Sequence, residues 1–238
     1  MVIDLHSHIL PGVDDGAMVL DDALEMADTA VACGVRHMVA TPHYNYYGHT
    51  SNAQIQQAFA RLQEALDYHC IPLKISLGME NIATRNLPQL LESGAALTYP
   101  DSRYFLVEFF TDASEKDLIE IPNACAEAGF LPVIAHPERY RAVLDDPSIA
   151  KLWVDQGWGV QLNRDSLLGL FGQRYFACAD YILSRGWANL IASDAHDLHH
   201  RTTNWTAAFS HFSQRIPHHI LEECLISNPQ KILQNMPL

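Results

Sequence analysis

One arrangement recurs along this chain: a short apolar run that closes on a histidine or a carboxylate. The run Val35-Arg36-His37-Met38-Val39-Ala40-Thr41 leads to Pro42-His43, and Pro72-Leu73-Lys74-Ile75-Ser76-Leu77-Gly78-Met79 leads to Glu80. Tyr104-Phe105-Leu106-Val107 ends at Glu108, Phe130-Leu131-Pro132-Val133-Ile134-Ala135 at His136, and Asn189-Leu190-Ile191-Ala192-Ser193 at Asp194-Ala195-His196. Nearly continuous apolar runs of this length suit parallel strands covered on both faces. A charged group buried at the end of such a strand is costly unless it is paired or bound to a metal. Runs near residues 3, 38, 75, 106, 133, 161 and 190 make seven strands. Helical patterns fall between them: from Leu20 with Gly34 as its stop, Asn52 to His69, Leu87 to Gly94, Leu118 to Ala128, and around Tyr175 to Arg185. The expected fold is α/β, a distorted seven-stranded (β/α)7 barrel whose site lies at the C-terminal ends of the strands. An open doubly wound sheet would draw on one crevice, whereas six of the seven runs contribute here. From Thr203 the chain reads as helices broken by Pro217 and Pro229, and residues 1–238 fit one domain.

The first run, Val2-Ile3-Asp4-Leu5-His6-Ser7-His8, sets the chemistry. Residues two apart on a strand share a face, so Asp4, His6 and His8 point one way and Ile3 and Leu5 the other. Taken alone, this pair of histidines fits either metal binding or two satisfied or surface imidazoles. The turn Pro11-Gly12-Val13-Asp14-Asp15-Gly16 bends the chain back and adds a carboxylate at Asp14. The candidate ligands are then His6, His8, Asp14, His43, Glu80, Glu108, His136, Asp194 and His196. Five histidines, four carboxylates and no thiolate exceed one tetrahedral zinc site and suit two or three divalent cations. The other eight histidines, among them His199, His200, His218 and His219, lie off the pattern and take surface or helix roles.

Charge and cysteine usage narrow the partners. With 15 Lys+Arg against 28 Asp+Glu the formal charge is −13, which disfavours nucleic acid or an anionic membrane. No apolar run reaches membrane-spanning length and no signal pattern opens the chain, so the expectation is a cytoplasmic protein without membrane insertion. The five cysteines are odd in number, widely spaced and lack a C-x-x-C pair, as expected of reduced, buried thiols. None has arginine at the C-x5-R offset, so a thiol-based phosphatase is not supported. Tyr44, Tyr46 and Tyr47 cluster in one loop, where they suit packing, a lid or contacts to an aromatic substrate.

These blocks together resemble a known family. D-L-H-S-H-I-L-P-G-V-D-D-G-A at 4–17, T-P-H at 41–43, G-x-E at 78–80, V-E-F at 107–109, A-H-P-E-R-Y at 135–140 and S-D-A-H at 193–196 are similar to the polymerase and histidinol phosphatase (PHP) superfamily. More narrowly they resemble its bacterial tyrosine-protein phosphatase branch, associated with capsular and exopolysaccharide synthesis. The resemblance spans almost the whole chain. It implies metal-dependent hydrolysis of phosphotyrosine on a protein, a bacterial tyrosine kinase being the expected partner. It also implies three divalent cations, with manganese first and iron or zinc as alternatives. His6, His8, Glu80 and Asp194 would hold one; Glu80, Glu108 and His136 a second; Asp14, His43 and His196 the third. Arg139 would match the family arginine that contacts the phosphate. From the residues themselves, His43 or His196 could assist proton transfer, and Tyr44, Tyr46, Tyr47, Phe109 and Tyr140 could line a pocket for the substrate's ring.

Two departures stand out. The resemblance implies an isoleucine–arginine pair directly after Glu80, but here Asn81-Ile82-Ala83-Thr84 intervenes before Arg85, and Arg164-Asp165 follows Asn163 where small residues are usual. Another PHP phosphoesterase, such as a histidinol-phosphate phosphatase, and a non-catalytic phosphotyrosine-binding regulator are the competing readings.

Overall fold

The computed structural model describes residues 2–44 and 50–238. Its strands are β1 (Val2–Ser7), β2 (Val35–Ala40), β3 (His43–Tyr44), β4 (Lys74–Leu77), β5 (Glu80–Ile82), β6 (Tyr104–Glu108), β7 (Leu131–Ala135), β8 (Gly159–Asn163) and β9 (Leu190–Ala192). All pair in parallel, in the orders β1-β2-β4 and β3-β5-β6-β7-β8-β9. Among the described residues, nine strands come from seven runs because two runs break. β2 and β3 are separated at Thr41-Pro42, and β4 and β5 at Gly78-Met79. Pro42 has no N–H to give to a ladder. Pairing nevertheless continues across the break, since Gly78 N–H donates to Ala40 O (2.8 Å) and Glu80 N–H to Pro42 O (3.1 Å).

Taken as seven staves, the strands run in chain order, and the last meets the first. Ser7 and Ala195 form a parallel bridge, His8 N–H donates to Ala195 O (2.8 Å), and Asp194 N–H donates to His6 O (2.9 Å). The α/β expectation and the seven runs are both observed, with the ladder divided into two sheets rather than continuous.

Helices cover the sheets with their apolar faces. Leu20–Ala32 buries Ala23, Met26, Ala27 and Ala30, and Asn52–Tyr68 buries Ile55, Leu62 and Leu66. The second of these starts on a reciprocal cap, where Ser51 Oγ accepts from Gln54 N–H (3.3 Å) and Gln54 Oε1 accepts from Ser51 N–H (2.9 Å). Leu87–Glu92, Glu115–Glu127, Ile149–Asp155 and Gln173–Ser184 follow, then Thr206–Arg215, His218–Glu222 and Asn228–Leu233 after β9. A smaller core gathers Ile3, Leu5, Val39, Leu106, Val133 and Leu190, one or two side chains from each of five strands.

All five cysteines are free. Cys125, Cys178 and Cys224 are buried, which pushes each thiol up to about 12, whereas Cys70 is exposed and Cys33 half-buried. Among the described residues no helix is long and apolar enough to cross a membrane.

Candidate metal centre

The strand ends converge because the chain bends sharply where it leaves them. β1 carries a register irregularity between Asp4 and Ser7, a local distortion that re-aims His6 and His8. His136 (φ 30°) and Asp194 (φ 52°), just past β7 and β9, sit in the left-handed region. Non-glycine residues hold that conformation at a cost, and it is concentrated at functional sites. The turn after β1 folds back against the strand so closely that a Cβ on Gly16 would lie 2.0 Å from His8 O. This close approach brings two neighbouring carboxylates, Asp14 and Asp15, beside His8.

The donors meet around Glu80. Its Oε2 lies 3.2 Å from both His6 Nε2 and His8 Nε2 and 3.1 Å from His43 Nδ1, while Oε1 lies 3.0 Å from His136 Nε2. Asp194 Oδ1 lies 3.2 Å from His6 Nε2 and 3.4 Å from His8 Nε2. Glu108 approaches from β6, 3.7 Å from His43 and 3.8 Å from His136. Among the described residues, three groups within reach of a common ion result: His6, His8, Glu80 and Asp194; His43, Glu80 and Glu108; and His8, Asp15, His43 and His196.

The hydrogen bonds fix which atoms face inward. Asp194 Oδ2 accepts from Asn163 Nδ2 (2.7 Å), Asn163 Oδ1 then accepts from Gln161 Nε2 (2.9 Å), and Gln161 Oε1 is left to accept from His6 Nδ1 (2.9 Å). The Nδ1 proton of His6 is therefore committed to Gln161, and Nε2 is the atom turned inward, a donor to the carboxylates while protonated and a lone pair for a cation once that proton leaves. Asp14 does the same for His8 through Nδ1 (2.8 Å). The two Nε2 atoms lie 3.3 Å apart with Asp194 Oδ1 beside them, and that oxygen accepts no hydrogen bond among the described residues. Four electron-pair donors aimed at one point fit a cation.

The electrostatics agree. Burial opposes charge on His6 and His8, but the carboxylates beside each prevail and raise both, His8 well above the ordinary range. Burial, then the charge of Glu80, pushes Glu108 up to about 8. Protons thus collect where divalent cations would relieve the same repulsion. His136 is held at about 4 by burial and Arg139, and His196 at about 2 by burial and His8, so both present neutral imidazoles.

Gln161→Leu tests the relay. It removes the acceptor for His6 Nδ1 at similar bulk, and losses of this kind cost about 10- to 100-fold in metal affinity. Competition with a chromophoric chelator should show that drop, and an unchanged titration curve would contradict it.

Most ligand candidates come together, with one change. Asp14 points away from the inner cluster, since its Oδ2 receives His8 Nδ1 and the His43 backbone N–H (3.0 Å) and its Oδ1 the Gly16 N–H (3.0 Å). Burial works against its charge, but His8 and these hydrogen bonds hold its carboxyl at about 2. The carboxylate facing His43 and His196 is Asp15, whose Oδ1 lies 3.6 Å from each Nε2. Adjacent acids in one turn differ only in side-chain direction, which sequence does not show.

The substrate candidates also change. Arg139 lines the polar pocket above the cluster, with Nη1 3.5 Å from Asp194 Oδ2. Tyr140 is buried, its hydroxyl donating to Ala135 O (2.7 Å) and accepting from Phe109 N–H (3.1 Å), so its ring belongs to the core. Tyr44 packs against the main core, and Tyr47 lies outside the described residues, as does Tyr46. Arg85 is 75% exposed and pairs with Asp117 (3.2 Å), away from the pocket.

A second arginine takes part instead. Arg201 donates to Asp194 Oδ2, approaches His196 Nε2 at 3.1 Å and lines the same pocket as Arg139. Asp197 positions it by accepting the backbone N–H groups of His199, His200 and Arg201, while Arg201 O accepts from His196 N–H (2.7 Å). Arg164 and Asp165 form a buried pair (2.7 Å), and Arg164 also donates to Asn204 O (3.0 Å), a structural tie between chain segments.

Residues 2–234 match the model of the CpsB/CapC family of capsular polysaccharide synthesis. The chain belongs to the CpsB/CapC family. Among CpsB/CapC-like proteins, tyrosine-protein phosphatase YwqE of Bacillus subtilis is 32% identical over 243 residues, covering 99% of this chain and 95% of that protein. Tyrosine-protein phosphatase CpsB of Streptococcus pneumoniae is 29% identical over 240 residues, covering 98% and 99%. A chain from the crystal structures of YwqE and CpsB, described as unique metal-dependent tyrosine phosphatases, superposes with TM-score 0.90 at 31% identity over 99% of this CpsB/CapC chain and 96% of that one. Histidinol phosphate phosphatase from Lactococcus lactis, at TM-score 0.56 and 12% identity over 90% and 92%, shares the fold.

Proposed function

We propose that this CpsB/CapC protein is a metal-dependent protein-tyrosine phosphatase whose substrate is a phosphotyrosine protein, a bacterial tyrosine kinase of capsular or exopolysaccharide synthesis. The observation that carries this reading is the convergence of two guanidiniums, Arg139 and Arg201, on a pocket floored by Glu80, Glu108, His136 and Asp194. Residues 1–238 act as one catalytic domain, and a cytoplasmic setting suits its five free thiols.

Three cations are the best match to the donors. His6, His8, Glu80 and Asp194 would hold the first, Glu80, Glu108 and His136 the second, and Asp15, His43 and His196 the third, while Asp14 orients His8. Nitrogen and oxygen donors without thiolate suit manganese, with iron or zinc as alternatives. Bound there, divalent cations supply a nucleophile at neutral pH by acidifying water, and they neutralise phosphate charge. Arg139 and Arg201 grip the equatorial oxygens of the transferring phosphoryl group, for which the planar fork of a guanidinium is suited. A tyrosine leaving group has a pKa of about 10 and departs with little proton assistance. His43 and His196 then serve as neutral donors rather than acids, consistent with burial lowering both. Arg201 provides the second phosphate-binding cation that Arg85 does not, which weakens the case for a non-catalytic binder.

Chelation provides the test. Phosphate release from a phosphotyrosine peptide should stop when the protein is stripped of metal and return on adding manganese. Full activity after stripping, or release from histidinol phosphate alone, would overturn the proposal.

A further inference from the structure

The sequence placed the substrate's aromatic ring against Tyr44, Tyr47 and Tyr140, and the structure offers a different place for it. Arg139 and Arg201 border two spaces. One is the polar pocket over the cluster, about 110 Å³ and lined by Asp15, His43, Glu80, Glu108, His136 and Asp194 besides the arginines. The other is a cavity of about 310 Å³ lined by the same two arginines and by Phe171 and Tyr175.

We propose that Phe171 and Tyr175 form the slot that receives the aryl ring of the scissile phosphomonoester and so select phosphotyrosine over phosphoserine and phosphothreonine. This rests on the phosphatase reading given above.

A phosphate held by Arg139 and Arg201 leaves its organic group one of two places. In the polar pocket, a ring would strip water from charged groups and return nothing to them. The neighbouring cavity reaches the lower end of small-ligand pockets, roughly 300 Å³, and offers two aromatic walls. Both rings are half-buried and stand outside the two apolar cores, so neither is committed to packing the fold. Their backbone is held firmly. Phe171 lies between Gly169 (φ 76°) and Gly172 (φ 105°), conformations that suit glycine. Gly172 N–H donates to Gly169 O (3.1 Å), Leu170 N–H to Asp165 O (3.0 Å), and Phe176 N–H to Gly172 O (3.1 Å), so the turn runs straight into Gln173–Ser184 with Tyr175 in its first turn. A phosphoserine side chain carries too little apolar surface to fill the space between the rings.

Phe171→Ala, Tyr175→Ala and the double variant, each loaded with manganese, test this with two readouts. One is kcat/KM for a phosphotyrosine peptide; the other is the inhibition constant of inorganic phosphate, which needs the cations and arginines but no ring slot. An aromatic contact contributes roughly a factor of ten at most beyond its buried area. Each single change should lower kcat/KM by about tenfold and the double change by about a hundredfold, with phosphate inhibition within twofold of wild type. If the double variant keeps kcat/KM within twofold of wild type, the slot is refuted. A parallel weakening of phosphate inhibition refutes it as well, because the rings would then support the site rather than read the substrate. Wild-type protein that fails to release phosphate when loaded would sink the phosphatase reading itself, and the slot with it. An active wild type with unaffected variants removes the slot alone.

Discussion

Glu80→Gln should lower phosphotyrosine turnover by about a thousandfold and reduce bound metal at the same time. The substitution keeps the shape of the side chain and removes one charge, so packing is not its main effect. Glu80 is 2% exposed and contacts His6, His8, His43 and His136, drawing together candidate ligands from β1, β3 and the end of β7. Burial opposes ionisation of Glu80, yet His6, His43 and the hydrogen bonds from His136 and His6 hold its carboxyl well below the usual range. A glutamine would turn an NH2 toward imidazoles that need an acceptor and would bind no cation with a formal charge. Metal content per chain after dialysis, measured with kcat on a phosphotyrosine peptide and a circular dichroism spectrum, checks this. A folded variant that keeps its metals and more than a tenth of its activity would contradict the central place given to Glu80.

Arg139→Lys should lower kcat/KM by about a hundredfold while leaving metal content unchanged, because an ammonium cannot reproduce the two parallel donors of a guanidinium. The Arg139 side chain is 31% exposed and touches Asp194 only at 3.5 Å, so its loss leaves the ligand set in place. Arg201→Lys should cost a similar factor in rate and also weaken metal binding, since Arg201 is bonded to Asp194 and lies beside His196. The separation between the two variants is the informative result. Identical losses of metal in both would mean that Arg139, too, holds the cluster together rather than the phosphate.

The distribution of ligand types was legible because burial makes polar residues conspicuous. Glu80, Glu108 and His136 each close an apolar run, and an acid or imidazole in that position needs a partner of opposite character. Glu108 shows the penalty directly, being pushed up to about 8 by burial and then Glu80. The same logic did not separate Asp14 from Asp15, because both follow the strand in an irregular turn without side-chain periodicity. Tyr140 misled for the converse reason. It follows Arg139 in sequence, but the 3-10 turn Pro137–Arg139 directs its hydroxyl to Ala135 O. Arg201 had no marker at all, since its position depends on backbone hydrogen bonds to Asp197 in the loop after β9.

Sequence alone determined the parallel α/β order, the strand-end location of the chemistry and the resemblance to a metal-dependent phosphatase branch, because strand periodicity and the cost of burying charge act within short windows. Tertiary structure alone decided the rest: that Asp15 faces His43 and His196, that Gln161 and Asn163 tie His6 to Asp194, and that Arg201 joins Arg139 beside Phe171 and Tyr175. Those relations link residues brought together by the return of β9 to β1 and by turns near Gly16 and Gly172. No local spacing encodes a contact between segments more than a hundred residues apart, such as His6 with Gln161, whose separation is 155. Direction in space, set by hydrogen bonds that close only in the folded chain, assigns those roles.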